Sequence, residues 1–124
     1  VYKRQPSGLF LTYPGLSASQ DGERGGWLWT YKTRKGLEKI YGPKVFQNCV
    51  QALARCVMGE QMIQIAKRYP IALTIHDALY VIAPEREAEE AMSFVLSTMR
   101  TAPEWLPGIP LDAEAHYGRT LGDC

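Results

Sequence analysis

No stretch of this 124-residue chain stays apolar for the ~18 residues that a membrane helix needs. The N-terminus shows no sign of a cleavable secretory signal. Cysteine is scarce: Cys49, Cys56 and Cys124 are odd in number and form no CxxC pair. That spacing excludes a disulfide framework and a cysteine zinc site, and it leaves Cys49 and Cys56, seven apart in a helical pattern, as small apolar core residues. The expected compartment is therefore the cytoplasm. Histidine is scarcer still, with only His76 and His116, too few for a metal hydrolase built on several His and Asp ligands. Internal repeats and low-complexity tracts are absent as well.

What is present reads as one folded domain over residues 1–124. An apolar fraction of 46% excludes disorder as a whole-chain description, and the length suits a single core. The first residues, Val1-Tyr2-Lys3-Arg4-Gln5, carry no initiator methionine and enter ordered-looking sequence at once. They read as the cut edge of something larger. The net charge of +1 hides an uneven distribution. Residues 1–70 hold eleven Lys/Arg against four Asp/Glu, and residues 71–124 hold three against nine. A basic half followed by an acidic half points toward a polyanionic partner, or toward mutual attraction of the halves.

Local signals suggest an α+β chain. Pro6-Ser7-Gly8 reads as a turn, residues 9–13 as a strand, and residues 16–26 as a loop of small polar residues and glycine. Trp27 to Lys32 reads as a second strand, pairing with the first as an antiparallel hairpin. A helix is expected from Pro43 to about Arg68, with Gly59 as a point of interruption. Its apolar face would hold Phe46, Cys49, Val50, Leu53, Val57, Ile63 and Ala66. Residues 71–75 and 78–82 are two apolar runs symmetric about His76-Asp77, the signature of a tight hairpin. A second helix opens at Pro84, with an apolar stripe of Ala88, Ala91, Met92, Val95, Leu96 and Met99. Its first turns are crowded by glutamates and Arg100 closes it, as the helix dipole favours. Residues 111–117 read as a last strand. The expected architecture is an antiparallel sheet of four or five strands with two long helices packed on one face.

Three groups of residues bear on chemistry. Lys44, Asn48, Gln51 and Arg55 recur at i, i+4, i+7 and i+11, so they share one helix face. Amides donate to acceptors that every base pair shows in the minor groove, and cations hold phosphates. A plain solvated face explains the same pattern. His76-Asp77 places a carboxylate at a hairpin tip, where it suits Mg²⁺, although Asp is also an ordinary turn residue. Trp27, Trp29 and Tyr31 alternate onto one strand face, as a base-stacking row or, preferably, as a cap on the core.

Taken in order, these pieces resemble the C-terminal palm region of family A DNA polymerases, the phage type in particular. The matching blocks are Pro6-Ser7-Gly8, IYGPKVFQNCVQALAR (Ile40 to Arg55), KRYPIALTIHDALYVIAPE (Lys67 to Glu85) and MRTAPEWLPGIPLDAEAHYG (Met99 to Gly118). They cover nearly the whole chain. The resemblance implies a palm-type sheet and two-metal nucleotidyl transfer with Mg²⁺. Asp77 falls at the motif C aspartate, a metal ligand, and His76 lies where the family places a histidine beside the primer terminus. Gln51 falls on a glutamine that contacts the minor groove, with Asn48 on the same face. The implied partners are primer-template DNA, a dNTP and the remainder of the polymerase, namely its thumb, fingers and motif A.

Two positions depart from that pattern. Ala78 stands where the family commonly has an acidic residue, and Leu9 where it often has arginine after Pro-Ser-Gly. No second strand-borne aspartate replaces motif A, since Asp21 falls in a loop and Asp112 begins the distal last strand. The expectation is half of a catalytic site, inactive alone. The alternative is a non-catalytic palm-like module that binds nucleic acid or a protein.

Overall fold

β-branched and aromatic residues concentrate in some of the strands of this protein, and two runs of 3.6-residue periodicity build its helices. The computed structural model describes residues 1–20 and 25–123. The strands are β1 (Tyr2–Arg4), β2 (Phe10–Thr12), β3 (Ser17–Gln20), β4 (Trp27–Thr33), β5 (Gly36–Ile40), β6 (Ile71–Ile75) and β7 (Ala78–Val81). The helices are α1 (Gly42–Ala66) and α2 (Ala88–Met99). The fold is mixed α+β, but its strands form three small antiparallel sheets and not one sheet of four or five. Their orders are β1-β2, β3-β4-β5 and β6-β7.

The chain divides into two compact units, Val1–Ala54 and Arg55–Cys124. In the first, β1 and β2 close around Gln5 to Leu9, with Arg4 opposite Phe10. Gly8 sits there at φ 84 and donates its backbone N–H to the Gln5 carbonyl at 2.9 Å. The expected pairing of β2 with β4 does not form. β4 lies instead between β3 and β5, with Trp29 opposite both Ala18 and Ile40. β3 occupies a stretch expected to be loop; its four residues are all exposed, so the backbone ladder to β4 holds them and no apolar pattern announced them. Asp21 lies outside the described residues. β5 likewise hid in a basic stretch, where the Thr33 to Gly36 turn returns the chain along β4. Gly15, at φ 59, turns the chain so tightly that a Cβ there would approach the Lys32 side chain to 3.1 Å.

Tyr13 and Ile40 are the buried hydrophobic residues of this unit among those described. Tyr13 meets Tyr31 edge to face at 5.3 Å, an arrangement that the ring quadrupole favours. Buried Gln5 donates its side-chain amide to Cys49 Sγ at 3.7 Å.

The second unit is built on the C-terminal half of α1, which buries Val57, Met58, Gln61 and Ile65. Tyr69 and Ala91 are also buried, and Tyr69 packs at an angle against Phe94 with ring centroids 6.0 Å apart. Gln61 Nε2 donates to the Met99 carbonyl at 2.8 Å and to the Thr101 carbonyl at 3.4 Å, satisfying acceptors at the end of α2. The stripe expected on α2 is real, because none of its six residues is exposed. α2 begins at Ala88, after a 3-10 turn of Glu85–Glu87 that follows Pro84.

Helix α1 differs from expectation in three ways. It runs through Gly59 without interruption, and it ends at Ala66, short of Arg68. Its apolar face is only in part the one that periodicity suggests, since Cys49, Leu53 and Val57 turn inward and the other four do not. Phe46 is 71% exposed and Val50 and Ile63 also face solvent, while Val45, Cys49, Ala52 and Cys56 are half-buried. Periodicity predicts one continuous stripe from Phe46 to Ala66, but each half of the helix packs within its own unit and uses its own face. Residues 111–117 form no strand. Their period-two alternation survives, with 111, 113 and 115 half-buried between exposed neighbours. Arg100 pins that segment by its bonds to Asp112 Oδ1 at 2.8 Å and to the Ala113 carbonyl at 2.7 Å.

Candidate functional site

The β6–β7 hairpin is the element that the symmetric apolar runs anticipated. Ile75 pairs with Ala78, so His76 and Asp77 alone make the loop. Two-residue hairpin loops match strand twist when their first residue, or both, takes positive φ. His76 does so at φ 55, and it is the one non-glycine among the described residues with positive φ. An L-residue with a full side chain is strained there by about 1–2 kcal/mol. Such strain, held at an exposed tip by a short ladder, is a recurrent mark of functional positions.

His76 and Asp77 are both exposed. The Asp77 carboxylate has no hydrogen-bond or ion-pair partner among the described residues, so it faces water from the end of the hairpin. Mg²⁺ prefers oxygen ligands and takes one or two carboxylates beside its waters. The tip therefore fits one ligand position. Among the described residues no group of three or more His, Cys, Asp or Glu side chains gathers.

The second group lies on α1. Gln51 and Arg55 are exposed, and Arg55 Nη1 touches Met58 Sδ at 3.7 Å. Lys44 is half-buried and donates to Gln47 Oε1 at 3.4 Å. Asn48 is half-buried too, and its Nδ2 donates to the Tyr13 hydroxyl at 3.3 Å. That bond gives the amide a structural task, satisfying a buried tyrosine hydroxyl that would otherwise lose its water partners. The stripe thus presents Gln51 and Arg55 outward, while its N-terminal members face local partners. These α1 residues up to Gln51 belong to the first unit, and His76-Asp77 to the second.

The third group overturns the preference for a core role. Trp27 is 69% exposed and Trp29 46%, and only Tyr31 is drawn into packing, through Tyr13. Burial, then the neighbouring Glu38 carboxylate, pushes the Tyr31 hydroxyl pKa above its ordinary value.

Two features escaped sequence reasoning. A cleft of about 310 Å³ opens beside Trp29, with Tyr13, Leu16, Ile40, Tyr41 and Val45 in its walls. A larger groove of about 760 Å³ runs between the C-terminal half of α1 and the chain after α2, past Phe94 and Trp105. At its rim the Arg68 guanidinium lies over the rings of Tyr69 and Phe94, 5.2 and 5.3 Å from their centroids, and pairs with Glu90. Neither has a local sequence signal, since each is assembled from residues far apart in the chain. No helix among the described residues is long and apolar enough to cross a membrane. Comparisons with protein-family models, with curated proteins and with solved structures each find no match for this chain.

Proposed function

We propose that this chain is the C-terminal palm portion of a DNA-directed DNA polymerase of the family A, phage-like type, acting in the cytoplasm with the remainder of that enzyme. The observation that carries the reading is the His76-Asp77 tip: a two-residue hairpin loop holding a strained histidine and an exposed carboxylate. The ordered blocks that resemble the family's palm region support it, and so does an exposed Gln51 on α1.

In this reading Asp77 contributes one carboxylate to the metal site, and His76 stands beside the primer terminus. Gln51 donates its amide to minor-groove acceptors that all correct pairs share, a contact suited to copying any sequence. Lys44 and Arg55 hold phosphates, and Asn48 braces the helix against Tyr13. Mg²⁺ supplies Lewis-acid chemistry once ligands from outside this chain complete the site. Motif A, the fingers and the thumb belong to that outside part, together with dNTP binding.

The test is primer extension. The chain alone is expected to extend nothing, and the chain combined with a polypeptide carrying motif A and the fingers to extend a primed template. Failure of the assembled pair overturns the proposal. The second reading, a non-catalytic palm-like module, is favoured by Ala78 and Leu9. It expects DNA or protein binding that is indifferent to divalent metal and to Asp77.

A further inference from the structure

The first unit carries a face that the palm reading does not use. Alternation along β4 sets Trp27, Trp29 and Tyr31 in a row on one side of the β3-β4-β5 sheet. Successive rings are about 7 Å apart, twice the rise per residue of a strand. That repeat is comparable to the step of an extended nucleotide backbone. Buried aromatic rows are ordinary, but two exposed tryptophans two positions apart leave large apolar faces in water, which monomeric proteins tend to avoid. The cleft beside Trp29, at about 310 Å³, is at the lower end of the volumes that accept small organic groups.

Charge selects the occupant. By sequence this unit holds eight lysines and arginines against three carboxylates, Asp21, Glu23 and Glu38. Arg34 and Lys35 sit at the turn joining β4 to β5, beyond the end of the aromatic row. An apolar protein surface has no use for that excess, whereas a polyanion does. A row of rings cannot reach base faces that are stacked within a duplex, but it can reach those of an unpaired strand.

We propose that the Trp27–Trp29 face of the β3-β4-β5 sheet binds single-stranded nucleic acid, its bases stacking on the two indoles and its phosphates following the basic residues of the unit. Glu38 opposes the ligand. It lies opposite Tyr31 in the ladder, and the Tyr31 hydroxyl donates to its Oε2 at 3.4 Å. The stacking face uses none of Asp77, His76, Asn48 or Gln51, and of the α1 stripe only Lys44 adds to the basic excess, so a Trp27 variant tests it separately from the polymerase reading.

The experiment is fluorescence anisotropy of a labelled dT20 strand titrated with the full chain at 50 and 200 mM NaCl, with a 20-base-pair duplex alongside. The expected result is binding that weakens steeply with salt and favours the single strand. Trp27→Ala should weaken it about tenfold, in the lower part of the range for one stacked base. Trp27→Phe should retain most of the affinity, and Glu38→Gln should tighten it. Trp27 is exposed, so its alanine variant is expected to keep the urea midpoint of the parent. Equal affinity for strand and duplex, or a Trp27→Ala variant that is folded and binds dT20 undiminished, overturns the proposal. So does self-association that sedimentation detects and that excess dT20 does not reverse, which would make the face a contact between copies.

Discussion

Replacing His76 by glycine removes a backbone strain without removing buried surface. The residue sits at φ 55 and its side chain is exposed, so lost packing contributes little to the change. An L-residue in this region is disfavoured by about 1–2 kcal/mol, whereas glycine visits it freely. Glycine gives back part of that gain because its unfolded chain is more flexible, by about 0.5–1 kcal/mol. The net expectation is a stabilisation of about 0.5–1 kcal/mol. For a chain of this size that is a rise of about 2–4 °C in Tm. Urea unfolding of the parent, His76→Gly and His76→Ala separates the causes. Alanine keeps the backbone penalty and loses the imidazole, so it should match the parent within about 0.3 kcal/mol. A glycine variant no more stable than the parent, or an alanine variant as stable as the glycine one, would refute the argument. If the proposed function holds, the stabilised glycine variant should also extend primers more slowly in the assembled enzyme, because the loop then loses a fixed geometry.

Other expectations follow from single contacts. Gln61→Leu removes both bonds to the Met99 and Thr101 carbonyls and leaves those acceptors beneath an apolar side chain, which should lower stability by about 2 kcal/mol. Hydrogen exchange should then quicken in the last turn of α2, and unchanged exchange there would contradict the anchoring role. The Asp112 carboxyl is held below its ordinary pKa by the Ala113 backbone N–H and then by Arg100. Its contribution is therefore complete above the ordinary carboxyl pKa and is lost as pH falls through the lowered folded value. Unfolding measured from pH 5 to pH 2 should lose more stability in the parent than in Asp112→Asn, and parallel curves would count against it.

Much of the fold was legible because its signals are local. The β6–β7 hairpin could be read from two apolar runs around a polar dipeptide, and α2 from a stripe that one packing face enforces. What stayed hidden depends on partners distant in sequence. β3 is all exposed and exists through its ladder to β4, so its small polar residues look like loop. α1 misled for another reason: its residues obey helical spacing, but spacing does not say which apolar stripe a neighbour covers. Helical spacing places Cys49, Leu53 and Val57 inward, as found, but it also predicts burial of Phe46 and Val50, which face solvent, and omits Val45 and Ala52, which are drawn in. For the candidate site, the position of Asp77 at a tip was readable from the hairpin pattern. The positive φ of His76 was not, since histidine gives no hint of it. Nor was the diversion of Asn48 to Tyr13, which joins residues 35 positions apart.

The central claim is that Asp77 is a carboxylate of a divalent-metal site that this chain completes in part. Its most direct test is Mg²⁺-dependent primer extension by the assembled enzyme, parent against Asp77→Asn. The substitution is close to isosteric and the tip is exposed, so the fold is expected to survive it unchanged. The account predicts that extension by the Asp77→Asn enzyme falls by orders of magnitude at every Mg²⁺ concentration, while primer-template binding persists. Extension at the parental rate with the same Mg²⁺ dependence would contradict it.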